Sequence, residues 1–106
     1  MSSDTSSQRP RLLLVDDDRE LCELMREYLE PLGYEVHAVH GGLQGVEKAI
    51  SEEWHAIILD VMMPELDGFE VLKRIRKVST VPILMRTARG DETDRIVGLE
   101  VGADDY

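Results

Sequence analysis

The sequence predicts an α/β domain built on an open parallel sheet with helices on both faces. Two observations carry that prediction. Short apolar runs alternate with amphipathic stretches along the chain, the order of elements that builds strand, helix, strand, helix. Leu12-Leu13-Leu14-Val15, Ala56-Ile57-Ile58-Leu59 and residues 81–85 are continuous rather than alternating, as strands buried on both faces are. A chain of 106 residues with 42% hydrophobic and 32% charged side chains is enough for one aliphatic core and for one domain.

Residues 1–9 are mostly small and polar without periodicity and read as a flexible leader; residues 10–106 form the domain. Strand one follows at Leu12. Leu21, Leu24, Met25, Tyr28, Leu29 and Leu32 then recur at helical spacing behind Asp17-Asp18-Arg19-Glu20, a carboxylate version of the capping box. Gly33 closes that helix, and Pro31 distorts its last turn. Residues 34–39 mix polar and apolar side chains, which suits an edge strand. Leu43, Val46, Ala49 and Ile50 give a second helix. After strand three, Asp67-Gly68-Phe69-Glu70 opens a third helix carrying Phe69, Leu72 and Ile75. A fourth is expected over 91–101, with Gly102 as its stop.

The net charge of -10 repels phosphates, which argues against nucleic-acid or anionic-membrane binding by this domain itself. One cysteine, Cys22, cannot form an internal disulfide, and neither a signal peptide nor an apolar run of about 18 residues occurs. The reading is a cytoplasmic protein that does not enter the membrane.

An open parallel sheet places its reactive crevice beyond the carboxyl ends of its strands. Asp16 and Asp17 follow strand one directly, and Asp60 follows strand three. If those strands are neighbours the acids converge, repel one another and call for a cation, and hard oxygen donors with room for water point to Mg2+. Asp after a strand is also a common helix cap, and for Asp16-Asp17-Asp18 both readings stand. For Asp60 capping explains nothing, because Val61-Met62-Met63-Pro64 follows with no immediate helix start. A carboxylate beside a cation can act as nucleophile toward a phosphoryl group. Thr87 and Ala88, at the end of the fourth apolar run, offer a hydroxyl and a backbone N–H suited to phosphoryl oxygens.

Leu13-Leu14-Val15-Asp16-Asp17-Asp18, Ile58-Leu59-Asp60-Val61-Met62-Met63-Pro64, Asp67-Gly68, Pro82-Ile83-Leu84-Met85 with Thr87-Ala88-Arg89, and the stretch from Gly98 to Tyr106 together resemble the receiver domains of two-component response regulators. The resemblance runs from Arg11 to the end of the sequence. It implies a flavodoxin-like doubly wound sheet of order 2-1-3-4-5. It implies Asp60 as phosphoacceptor, Asp17 and Asp60 as direct Mg2+ ligands, Asp16 as a ligand through water, and Met62 as donor of a backbone carbonyl. Thr87 and Ala88 would contact the phosphoryl group, with Thr87 and Tyr106 as switch residues. The partner so implied is a sensor histidine kinase whose phospho-His donates to Asp60, a switch without turnover of an outside substrate. Similarity to the winged-helix transcriptional subclass implies DNA contact only through a further C-terminal domain.

The sequence departs from that family in two places. The family continues beyond Tyr106 to a Lys-Pro whose lysine pairs with the phosphoryl group; the sequence ends before it, so most of strand five and helix five are expected to be missing. Strand four would then present an open edge, with a homodimer or swapped oligomer as its consequence. Arg86 stands in an apolar strand where the family has an aliphatic residue. Its guanidinium must reach the crevice, find a carboxylate, or reflect an altered fold; a role as substitute phosphate partner is disfavoured because Thr87 is expected to face the site, and neighbours on a strand point to opposite faces. The alternative to a phosphorylated receiver is a pseudo-receiver that binds partners without phosphorylation. A haloacid-dehalogenase type of phosphatase is disfavoured because Met62 stands where such enzymes carry an acid/base Asp. His37, His40 and His55 read as ordinary strand and loop residues, Met62-Met63 as strand-end packing, Gly41-Gly42-Leu43-Gln44-Gly45 as neither nucleotide motif, and Trp54 as a surface-to-core anchor.

Overall fold

The computed structural model describes residues 9–63 and 66–86. Four parallel strands, β1 (Arg11–Val15), β2 (Glu35–Val39), β3 (Ala56–Asp60) and β4 (Ile83–Arg86), lie in the order β2-β1-β3-β4, the expected order as far as the described residues reach. The fourth helix expected from the sequence, over 91–101, lies outside the described residues. Three helices connect the strands: α1 (Arg19–Leu29), α2 (Gly42–Ser51) and α3 (Gly68–Arg76). β4 begins at Ile83, so Val81 precedes the strand and Arg86 ends it.

The register decides which side chains share a face. Val15 pairs with Leu59, and Asp60 with Arg86. Side chains alternate along a strand and agree in direction across a registered pair. Leu13, Val15, Ile57, Leu59, Ile83 and Met85 therefore point one way, into the larger core with Val71 and Ile75 of α3 and Ala49 of α2. Leu12 and Leu14 point the other way, against Cys22 of α1.

All three helices bury a face turned slightly from the stripe their large residues suggest. In α1 Cys22 is buried with Met25 and Leu29 beside it, whereas Leu24 and Tyr28, and Leu32 in the turn after the helix, are exposed. In α2 the buried positions are Gly42, Gly45 and Ala49, with Leu43 and Ile50 outside. In α3 they are Gly68, Val71 and Ile75, with Phe69 outside. Small residues select the contact line because they let the helix axis come close to the sheet, and a Cβ on Gly45 would lie 2.6 Å from a Val15 methyl. Pro31 does disturb the end of α1: Glu30–Leu32 is a 3-10 turn, closed by Gly33 with φ 106°.

The amino ends of the strands are tied together by Arg11. Its guanidinium bonds Glu35 at 3.2 Å, Glu52 at 2.8 Å and the Glu53 carbonyl at 2.9 Å, and lies 4.3 Å over the Trp54 ring. Trp54 is in the larger core and donates its indole N–H to the Lys48 carbonyl at 3.0 Å, the anchoring role expected of it. His37 stands 2.7 Å from Glu35, and the Nδ1 of His55 accepts the Arg11 N–H at 2.9 Å; both are occupied in this network, far along the strands from the acidic end.

Candidate metal and phosphoryl site

The carboxyl ends of β1 and β3 carry the acids. Asp16 and Asp60 are buried, at 6% and 7% exposure, and Asp17 is exposed. One carboxylate oxygen from each of the three falls within 4.8 Å of the others, and this is the only group of its kind among the described residues. Adjacent central strands in register bring Asp16 and Asp60 together, and the chain turning out of β1 adds Asp17.

Local hydrogen bonds separate the roles that the sequence left open. Asp18 caps α1, its side chain accepting the Leu21 N–H at 3.0 Å. Asp16 is held instead: its backbone N–H bonds the Val39 carbonyl at 3.1 Å, and its Oδ1 accepts the Asp18 N–H at 2.9 Å. Capping thus falls to Asp18 and leaves the carboxylates of Asp16 and Asp17 to the crevice. Asp60 Oδ1 accepts the Met62 N–H at 3.0 Å, which orients the carboxylate. Gly68 packs under that end of β3 so closely that a Cβ there would lie 2.5 Å from Val61 Cα and 2.6 Å from the Asp60 carbonyl oxygen. The Asp67-Gly68 pair therefore does two things: Asp67 caps α3 through the Glu70 N–H, and Gly68 lets that helix start against the Asp60 backbone.

Of the other expected site residues, Met62 lies at the turn after β3 with its side chain exposed, while Met63 is buried in the core, so strand-end packing holds for Met63 alone. Thr87, Ala88 and Tyr106 lie outside the described residues. His40, read as an ordinary loop residue, places Nδ1 3.0 Å from the Asp16 carbonyl, to which it donates, and 4.0 Å from the Cys22 sulfur. Nothing in the sequence spacing signals that contact, which depends on β2 lying beside β1.

Arg86 corrects an expectation. Alternation was to turn it away from the site, but the register pairs it with Asp60 and so gives it the same face. Its Nη1 donates to Asp16 Oδ2 at 3.1 Å, with the two side chains only 16% and 9% exposed. The apparently misplaced cation has found a carboxylate.

Three carboxylates thus face one guanidinium. Burial pushes the Asp16 carboxyl up to about 6; the Asp18 N–H lowers it, Asp60 raises it, and Arg86 and Asp17 act in opposite directions with smaller effects. The donors are all hard oxygens, and the exposed Asp17 keeps the crevice open to water, so this set fits Mg2+.

Comparison with known proteins agrees with this geometry. Residues 12–106 match the model of the response regulator receiver domain. The chain is 54% identical over 95 residues to a CpxR homolog, a transcriptional regulatory protein of Haemophilus influenzae, and 47% identical over 96 residues to CpxR of Escherichia coli K12. These alignments cover 90% and 91% of the chain but 41% of each relative, so the chain spans about two fifths of their length. Among solved structures, the response regulator TrrA of Thermotoga maritima, in complex with Mg2+-BeF, matches at TM-score 0.74 and 32% identity over 90% of this chain and 82% of its own. The receiver domain of the sensor histidine kinase PA1611 of Pseudomonas aeruginosa, with magnesium coordinated in its active-site cleft, matches at TM-score 0.72 and 34% identity, covering 81% of this chain and 73% of its own. With the acids converging at the carboxyl end of a parallel sheet of this order, the chain belongs to the response regulator receiver domain family.

Proposed function

We propose that this domain is a phosphorylation switch whose acceptor is Asp60, served by a sensor histidine kinase. The observation that carries the reading is the meeting of Asp16, Asp17 and Asp60 within 4.8 Å at one strand edge. An Asp60 carboxylate oxygen attacks the phosphorus of the kinase phosphohistidine, the P–N bond breaks, and its electron pair leaves with the imidazole. Asp60 is prepared for attack because the Met62 N–H holds one of its oxygens and Gly68 seats its backbone. Asp16, Asp17, Asp60 and the Met62 carbonyl would hold Mg2+, which when bound offsets the negative charge gathered by the carboxylates and the phosphoryl group.

In the same reading Thr87 and Ala88 contact the phosphoryl oxygens, and Thr87 and Tyr106 carry the change to a partner-binding face. Residues 1–9 are a leader to a receiver beginning at residue 10, and the protein works in the cytoplasm without turnover of an outside substrate. The transcriptional regulators to which the chain is similar support control of transcription through a DNA-binding portion elsewhere in the whole protein. Self-association into a homodimer belongs to the reading too, and a monodisperse monomer in concentrated solution by light scattering would remove it.

Acetyl phosphate with Mg2+ tests the central claim. The expected result is a phosphoryl-sized mass gain in the unaltered protein that Asp60→Asn abolishes and chelation of the metal suppresses. A protein that neither gains mass nor binds Mg2+ would favour a pseudo-receiver.

A further inference from the structure

We infer that Arg86 is a built-in counter-ion that competes with the divalent cation for Asp16 and thereby weakens the metal affinity of the site. The inference rests on the proposed Mg2+ reading above, and three observations lead to it.

The first is reach. Arg86 ends β4, and Asp16 follows β1, with β3 between them. Neighbouring strands lie about 4.8 Å apart, so the guanidinium has to cross the end of β3, where Asp60 sits, over a span of about 10 Å between backbones. It does so because Arg86 is in register with Asp60 and lies on the same face. The backbones are locked at that level, the Val61 N–H bonding the Arg86 carbonyl at 3.2 Å.

The second is occupancy. Asp16 Oδ1 accepts the Asp18 N–H, and Oδ2 accepts Arg86 Nη1. Both oxygens of this acid are engaged, one by a fixed backbone donor and one by a side chain that can leave. A cation, or a water it carries, that takes Asp16 must share Oδ1 with the fixed Asp18 N–H, share Oδ2 with the guanidinium, or displace the guanidinium.

The third is charge. The guanidinium is 3.1 Å from an oxygen of Asp16, an acid that would hold the metal directly or through a bound water. The two cations would then be about 5–7 Å apart. Even with the screening of bulk water, a double and a single positive charge at that separation repel by an amount equivalent to roughly ten-fold in affinity. Both partners of the ion pair are largely shielded from solvent, so screening is no stronger than that.

Isothermal titration of MgCl2 into the unaltered protein, Arg86→Gln and Arg86→Lys at pH 8 tests this directly. Glutamine removes the charge and keeps an amide N–H donor on a shorter side chain; lysine keeps the charge. The expected result is Mg2+ binding about ten-fold tighter in R86Q and within about two-fold of the unaltered protein in R86K. Equal or weaker binding by R86Q overturns the inference while leaving the Mg2+ site intact, and absence of binding by every form overturns both. Should R86Q fail to fold, the Arg86 Nε–H resonance of the unaltered protein is followed during the same titration. It is expected to shift as Mg2+ saturates, and a resonance that stays in place overturns the competition.

Discussion

Raising the pH should destabilise the metal-free protein across a range where most folded domains hold steady. The cause is Asp16, whose carboxyl is raised from 3.8 to about 6 by burial. Between those values the folded state holds a proton that the unfolded state has released, so stability falls as pH rises through the window and is lowest once Asp16 is ionised in both states. Two acidity constants separated by that much correspond to about 3 kcal/mol in total. About half of it, roughly 1.4 kcal/mol, is lost between pH 5 and pH 8, the rest having gone below pH 5. For a domain of this size that is a drop in Tm of about 5–10 °C. The assay is thermal unfolding by circular dichroism in excess chelator at both pH values, on the unaltered protein and on Asp16→Asn. Glu35, Glu52 and Glu70 are held below the usual carboxylate range by His37, Arg11 and Arg74, and act with the opposite sign and at lower pH. A Tm that is flat or rises from pH 5 to pH 8, or a fall that survives unchanged in D16N, would refute the reasoning.

Three further outcomes follow from named contacts. Gly68→Ala should destabilise by about 1–3 kcal/mol in urea unfolding, because its methyl would meet the Asp60 carbonyl and Val61 backbone, which cannot yield as a flexible side chain would; an unchanged midpoint would show that α3 is free to shift. Cys22, buried against Asp16 with its thiol pushed up to about 11 by burial and then by Asp16 and Asp18, should react with an aromatic disulfide reagent at pH 8 only as the domain unfolds; immediate stoichiometric labelling of folded protein would contradict this. Asp18→Ala should lower stability by about 1 kcal/mol through loss of the α1 cap while leaving Mg2+ affinity within about two-fold, measured by the same unfolding and titration assays; a large loss of metal binding would place Asp18 among the ligands.

Much of this fold is legible in one dimension because strands buried on both faces have no choice but to be apolar throughout. The runs at Leu12 and Ala56 announce themselves, and an acid placed at the end of each has no role in the core. The helices are less legible. Their large apolar residues form a stripe wider than the contact line, and the line itself is chosen by Gly42, Gly45 and Gly68, whose contribution is the absence of a side chain. Periodicity counts side chains and cannot see that.

What the sequence by itself determined is the class of the sheet, the strand ends at which Asp16, Asp17 and Asp60 sit, and the oxygen chemistry they offer, because these follow from residue type and spacing. What only the tertiary structure decided is the pairing across strands. Register sets Arg86 beside Asp60 and on its face, sends its guanidinium to Asp16, and brings His40 to the Asp16 carbonyl. A shift of one residue between β3 and β4 would reverse the direction of Arg86, and no property of the separate strands records which register the packed sheet adopts.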